Sequence, residues 1–212
     1  MNKLLIPFAV AAAVLPLGAG VASADATPHA ATEHDQSTMV SFARLSPVVN
    51  NRVTGLGNAT VQLTGDNAQI TIHVRGLLND APHAMHIHLR GSGECPEADD
   101  STLLNGHLAT STADGLNDYG PIGTSLTTHG DTSPASALAI DRFPNAGTYT
   151  YVRTIQVTDD VARAIRSDNA VIVVHGIDYN SNGKYDNVLG SSELDPKLPQ
   201  EATAPALCGP LS

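Results

Sequence analysis

Apolar and polar positions alternate over two neighbouring stretches of the chain. Val61 and Leu63, then Ile70, Ile72 and Val74, fall at every second residue with polar neighbours between them, the period of half-buried strands. The TGDN between them, residues 64 to 67, has the composition of a hairpin turn. The strand-like pattern begins at Val40, and further strands are predicted at 135–140 (ASALAI), 148–157 (TYTYVRTIQV) and 169–176 (NAVIVVHG). TDDVARAIRS predicts a short helix capped by Thr158. Together these elements imply an all-β domain, a sandwich or flattened barrel punctuated by Gly and Pro. Two stretches fit no strand: residues 91–125 and 176–206 have no period, and loops of that length in a compact domain are usually functional or disordered.

The first 24 residues have Lys3 near the start, an apolar stretch interrupted by Pro16 and Gly18, and the small-residue exit Ala22-Ser23-Ala24. That pattern predicts a secretory signal cut after Ala24 and not a membrane span. Residues 25–39 are polar and without period, and read as a flexible leader whose His29 and His34 are solvated. Residues 40–212 then form one domain. The chain has 11 basic and 21 acidic residues; loss of Lys3 with the signal leaves 10 against 21. A balance that acidic excludes nucleic acid and anionic membranes as expected partners.

In an exported chain with two cysteines, Cys95 and Cys208 are expected to pair. Histidines gather near them. His86 and His88 are two apart in a strand pattern, so their side chains leave one face while Met85, Ile87 and Leu89 turn to the core. Such a pair is pre-organised for a metal, although histidines on a solvated strand face need no ligand. His175 ends the apolar strand VIVVH, and His107 stands in the first long loop as NGHL.

These segments resemble the copper/zinc superoxide dismutase family. HAMHIHLRGSGEC, residues 83–95, is similar to that family's first copper-binding strand and disulfide cysteine; NGHL to the segment with the bridging histidine; VIVVHG to the strand ending in the last copper histidine; ALCGPL to the C-terminal strand. The order is kept from about residue 60 to 212, with longer spacings. The resemblance implies an eight-stranded Greek-key barrel and a copper site at His86, His88, His107 and His175. It also implies a catalytic, proton-delivering role for His107, the second disulfide position at Cys208, and superoxide as substrate.

Three departures qualify the expected activity. Between His107 and His175 there is only His129, which with Asp131 is too little for a full zinc site, so zinc is not expected. The family's anion-attracting arginine is replaced by Pro205. Segment 176–206 has five acidic and two basic residues, a field that repels an anion. A second resemblance, from SFARLSP to MHIH, is to the domain repeated in the chordin family; it leaves the cysteines and VIVVHGID unexplained.

After His175, Asp178, Asn180, Asn182, Gly183 and Asp186 fall at positions 1, 3, 5, 6 and 9 of a calcium-loop pattern. Position 12 is Leu189, with Glu193 or Asp195 as substitutes; an Asx-rich turn satisfies the same residues. His73 and His83 are not expected as ligands, and Tyr149, Tyr151 and Arg153 read as packing. The expectation is an exported, disulfide-bonded, dismutase-like barrel with one histidine-bound copper. The alternative is a metal-binding or structural β domain without turnover.

Overall fold

Alternating positions become the two faces of one curled antiparallel sheet. The computed structural model describes residues 37–212, so the signal at 1–24 and most of the leader lie outside the described residues. Eight strands build the sheet: β1 (Thr38–Pro47), β2 (Leu56–Thr64), β3 (Asn67–Arg75), β4 (Met85–Leu89), β7 (Ile122–Ser125), β8 (Tyr149–Gln156), β9 (Ala170–His175) and β10 (Pro205–Pro210). Their spatial order is β7-β4-β9-β10-β1-β2-β3-β8. Two short strands, β5 (Thr102–Leu104) and β6 (His107–Ala109), form a separate hairpin.

The curl brings the two halves of the sheet onto one core, which joins Leu45, Val61 and Ile70 from one half to Met85, Ile87, Ile172 and Val174 from the other. The open side is tied by side chains. Arg153 on β8 donates to the carbonyl oxygens of Thr127 and Gly130, in the loop that follows β7.

The β4-β9-β10 half is buried on both faces, as the uninterrupted AVIVV run of β9 demands. Ala170, Ile172 and Val174 face the main core. On the other face Val171, Val173 and Cys208 pack with Val48 and Tyr119, and Cys95 lies against them. Burying a Val side chain is worth about 1.5–3 kcal/mol, so the segment between β4 and β7 is a cover. The Cys95–Cys208 disulfide fastens it to β10.

Helix α2 (Asp159–Arg166) forms as predicted, with the Thr158 hydroxyl accepting from the Val161 amide and Val161, Ala162, Ala164 and Ile165 buried. The TGDN turn holds as well: β2 ends at Thr64 and β3 begins at Asn67. The predicted strand at 135–140 does not form. Its alternation is coincidental, because Pro134, which fits a first helical turn, opens a run of local bonds from Ala137 N to Pro134 O and from Ala139 N to Ser136 O. The residues fold as two single 3-10 turns, Pro134–Ser136 and Ile140–Arg142. The first long loop contains the β5-β6 hairpin, a one-turn helix α1 (Leu116–Tyr119) and edge strand β7; the second contains helix α3 (Gln200–Thr203).

The disulfide spans 113 residues, and the chain-entropy model assigns a closure of that length about 4–5 kcal/mol. The Cys95→Ser/Cys208→Ser double variant should therefore lose roughly that stability in equilibrium urea unfolding. An unchanged midpoint would show that the cover stays in place without its covalent tie.

Candidate metal centre

The antiparallel register puts His86 opposite Val173 and His88 opposite Val171. His175 lies two residues beyond Val173 on β9, so its side chain leaves the same sheet face. The three rings meet there under the cover. Their centroids are 5.0 Å apart for His86 and His175, 5.7 Å for His86 and His88, and 6.1 Å for His88 and His175. Phe143 stands edge-on to His86 and Tyr119 to His88.

Each ring makes one hydrogen bond, to a backbone carbonyl. His86 Nε2 is 3.2 Å from Ala137 O, His88 Nδ1 2.7 Å from Gly120 O, and His175 Nδ1 2.7 Å from Thr203 O. A carbonyl only accepts, so these nitrogens carry the hydrogens, and the lone pairs are left on His86 Nδ1, His88 Nε2 and His175 Nε2. All three of those atoms are buried without a partner. An unsatisfied buried polar atom costs about 1–3 kcal/mol, and three converging acceptors are the arrangement a cation relieves. The rings offer one nitrogen each, all within 4.8 Å of one another, and this is the group of His, Cys, Asp and Glu placed to share an ion among the described residues.

Two of the orienting carbonyls, those of Gly120 and Thr203, come from the long aperiodic segments. Gly120 lies in the cover, Ala137 lies between the two 3-10 turns, and Thr203 belongs to α3. Gly120 itself has no substitute: its φ is +77°, and a Cβ there would sit 2.2 Å from the Leu89 carbonyl oxygen. Carbonyl acceptors behind ligating histidines fix tautomer and ring orientation in metal sites generally.

Burial holds all three imidazoles neutral, the ligating form. Desolvation and the proximity of His175 and His88 push His86 well below its ordinary value; desolvation and His175 bring His88 to about 3. Desolvation brings His175 to about 4.

His83, to which the sequence reading assigned no role, proves to be a buried brace. Its Nδ1 lies 2.9 Å from the His175 carbonyl oxygen and its Nε2 2.9 Å from that of Leu78, beside Tyr185. His73 is exposed against Thr150.

The structure does not bring His107 to the cluster; it sits on β6 with its ring 5.6 Å from that of Tyr179. His129 contacts the Thr128 hydroxyl, while Asp131 accepts from Ser133 and Ser136. In the calcium-like loop Asp178 accepts from the amides of Asn182 and Gly183, and Asp186 from the side-chain amides of Asn180 and Asn182. The carboxylate that reaches this loop is neither Glu193 nor Asp195 but the buried Glu201, which accepts from the amides of Tyr179 and Asp186. Glu193 instead accepts from Ala113 N.

Neither a protein-family model nor a curated protein matches the sequence. No helix among the described residues is long and apolar enough to cross a membrane. The fold and the site define a disulfide-tied, curled β-sheet domain with a buried three-histidine cluster that could hold a metal.

The lowered histidine values set a pH dependence for the metal-free protein. Below pH about 6.5 the unfolded chain takes up protons that the folded rings refuse, so stability is complete above that pH and falls as pH drops toward 4. The slope is up to about 1.4 kcal/mol per pH unit for each such histidine. Urea unfolding between pH 7 and 5 should show this loss, and His88→Gln should flatten it; identical slopes in the two proteins would mean the ring is not held neutral.

Proposed function

We propose that the chain is an exported protein that holds one copper ion at His86 Nδ1, His88 Nε2 and His175 Nε2 and disproportionates superoxide there. The observation that carries the reading is the set of three buried, unpartnered nitrogens, each opposite a carbonyl-bonded partner in its own ring. The donors fit the metal: an all-imidazole set suits copper among the first-row ions, and copper(II) stands at the top of their affinity order. The ordered resemblance to the copper/zinc dismutases selects the same ion and names the substrate. Export rests on the N-terminal segment and agrees with a disulfide.

One-electron exchange, by which two superoxide anions and two protons become dioxygen and hydrogen peroxide, is the chemistry copper supplies when bound. The chain's own contribution is to hold three neutral imidazoles in a dry setting with their tautomers fixed, so that proton competition at the ligands is small near neutral pH. His107 stands apart from the cluster, so no proton delivery is assigned to it.

Nothing in this setting attracts an anion. Pro205 occupies the position of the family's arginine, and Glu193 is the charged group that acts on His175. That observation favours, as a second reading, a copper-holding domain without turnover.

Superoxide decay followed by pulse radiolysis on copper-loaded protein separates the two. The dismutase reading expects decay faster than His175→Ala and within about twofold between 10 and 300 mM salt, over which the Debye length falls from about 30 Å to below 8 Å. Decay equal to His175→Ala leaves the binding domain, and decay that salt suppresses severalfold would contradict the unsteered site.

A further inference from the structure

His86 and His175 form part of the wall of a pocket of about 280 Å³ whose lining is otherwise almost wholly apolar. Leu138, Ile140, Leu194 and Leu198 line it, and the first three are 37%, 46% and 45% exposed. Exposed large apolar residues that converge on one opening are uncommon in a chain of net charge −10, and contiguous ones mark binding surfaces. No Asp, Glu, Lys or Arg lines the pocket.

The hydroxyls of Thr112 and Tyr185 are already engaged, and the unpartnered nitrogens of His86 and His175 are acceptors that give an anion no donor. Thr112 Oγ1 donates to the Thr203 carbonyl and Tyr185 Oη to the Pro82 carbonyl. An anionic occupant would lose its hydration with no donor to replace it. A neutral one loses little, and its apolar surface gains about 25 cal/mol per Å² removed from water. Size narrows the class further: a cavity of about 150 Å³ accepts benzene, so this one has room for a single ring with a short substituent.

We propose that this pocket is a binding site for a small neutral molecule built on one aromatic ring. The site goes beyond the copper reading and needs no metal, since the wall is made by side chains already in place in the metal-free chain. It is reached between the 3-10 turns at 134–142 and the segment around Leu194–Ala202, the two regions that also supply the Ala137 and Thr203 carbonyls. An occupant therefore lies against the elements that orient His86 and His175.

The test is calorimetric titration of metal-free and copper-loaded protein with benzyl alcohol, and with benzoate, its anionic counterpart of the same size. Benzyl alcohol should saturate one site with a Kd on the order of 1 mM, within reach for so few atoms, and benzoate should bind at least tenfold more weakly to the metal-free protein. Ala202→Phe, which fills the pocket, and Leu138→Asp, which puts a charge on its exposed rim, should each weaken benzyl alcohol at least tenfold with the circular dichroism spectrum unchanged. The Leu138 variant guards against misfolding of the Ala202 one. Absence of saturation, equal binding of benzoate, or indifference to both variants would overturn the proposal. Copper uptake, measured separately, tells the two readings apart: lost uptake with benzyl alcohol still bound strikes the metal site alone, and the reverse strikes only the pocket.

Discussion

Three imidazoles buried together, each with one nitrogen satisfied by a carbonyl and the other by nothing, form the constraint on which the rest of the structure depends. Such a cluster persists only if both faces of β4 and β9 are kept from water, because an exposed lone pair would simply be hydrated. The inner face is the barrel core. The outer face requires a cover, and the segment from Gly91 to Pro121 supplies it, with Tyr119 as its buried anchor and Cys95 tied to β10. Disulfide, cover and histidine orientation are therefore one device: the same segment that seals the outer face includes Gly120, whose carbonyl aims His88.

Much of this was legible in the sequence because it rests on period and chirality. Period-two alternation in β2 and β3, the Gly-Asp turn between them, the capped helix at 159 and the shared face of His86 and His88 are local consequences of residue pattern. The cysteine pairing followed from a count of two and from the export that the N-terminal segment led one to expect. What was not legible depends on tertiary contact. ASALAI alternates like a strand, but Pro134 sets it into 3-10 turns, and its apolar residues serve the pocket instead of the core. Edge strand β7 was hidden in an aperiodic stretch because IGTS has too few apolar residues to show a period; pairing with β4 makes it a strand.

The site divides in the same way. Strand geometry alone brings two ligands together, and register brings the third, but nothing in NGHL indicates that His107 would lie against Tyr179 on a separate hairpin. His83 was passed over because a buried histidine between two carbonyls has no sequence signature. The orienting carbonyls are backbone atoms and leave no trace in residue identity, except at Gly120, where the positive φ and the close Leu89 carbonyl demand glycine. In the loop at 178–186 the Asp oxygens bond the loop's own amides, and the carboxylate that anchors it is Glu201, fifteen residues beyond Asp186.

The central claim is that one metal ion is held by His86, His88 and His175 and by no other histidine, and copper X-ray absorption on loaded protein tests it directly. The account predicts three imidazole nitrogens near 2.0 Å, a typical metal–imidazole distance, unchanged in His107→Ala and in a form lacking His29 and His34, and reduced in His175→Ala. A spectrum that survives replacement of all three cluster histidines, or that changes with His107 or the leader, would contradict it.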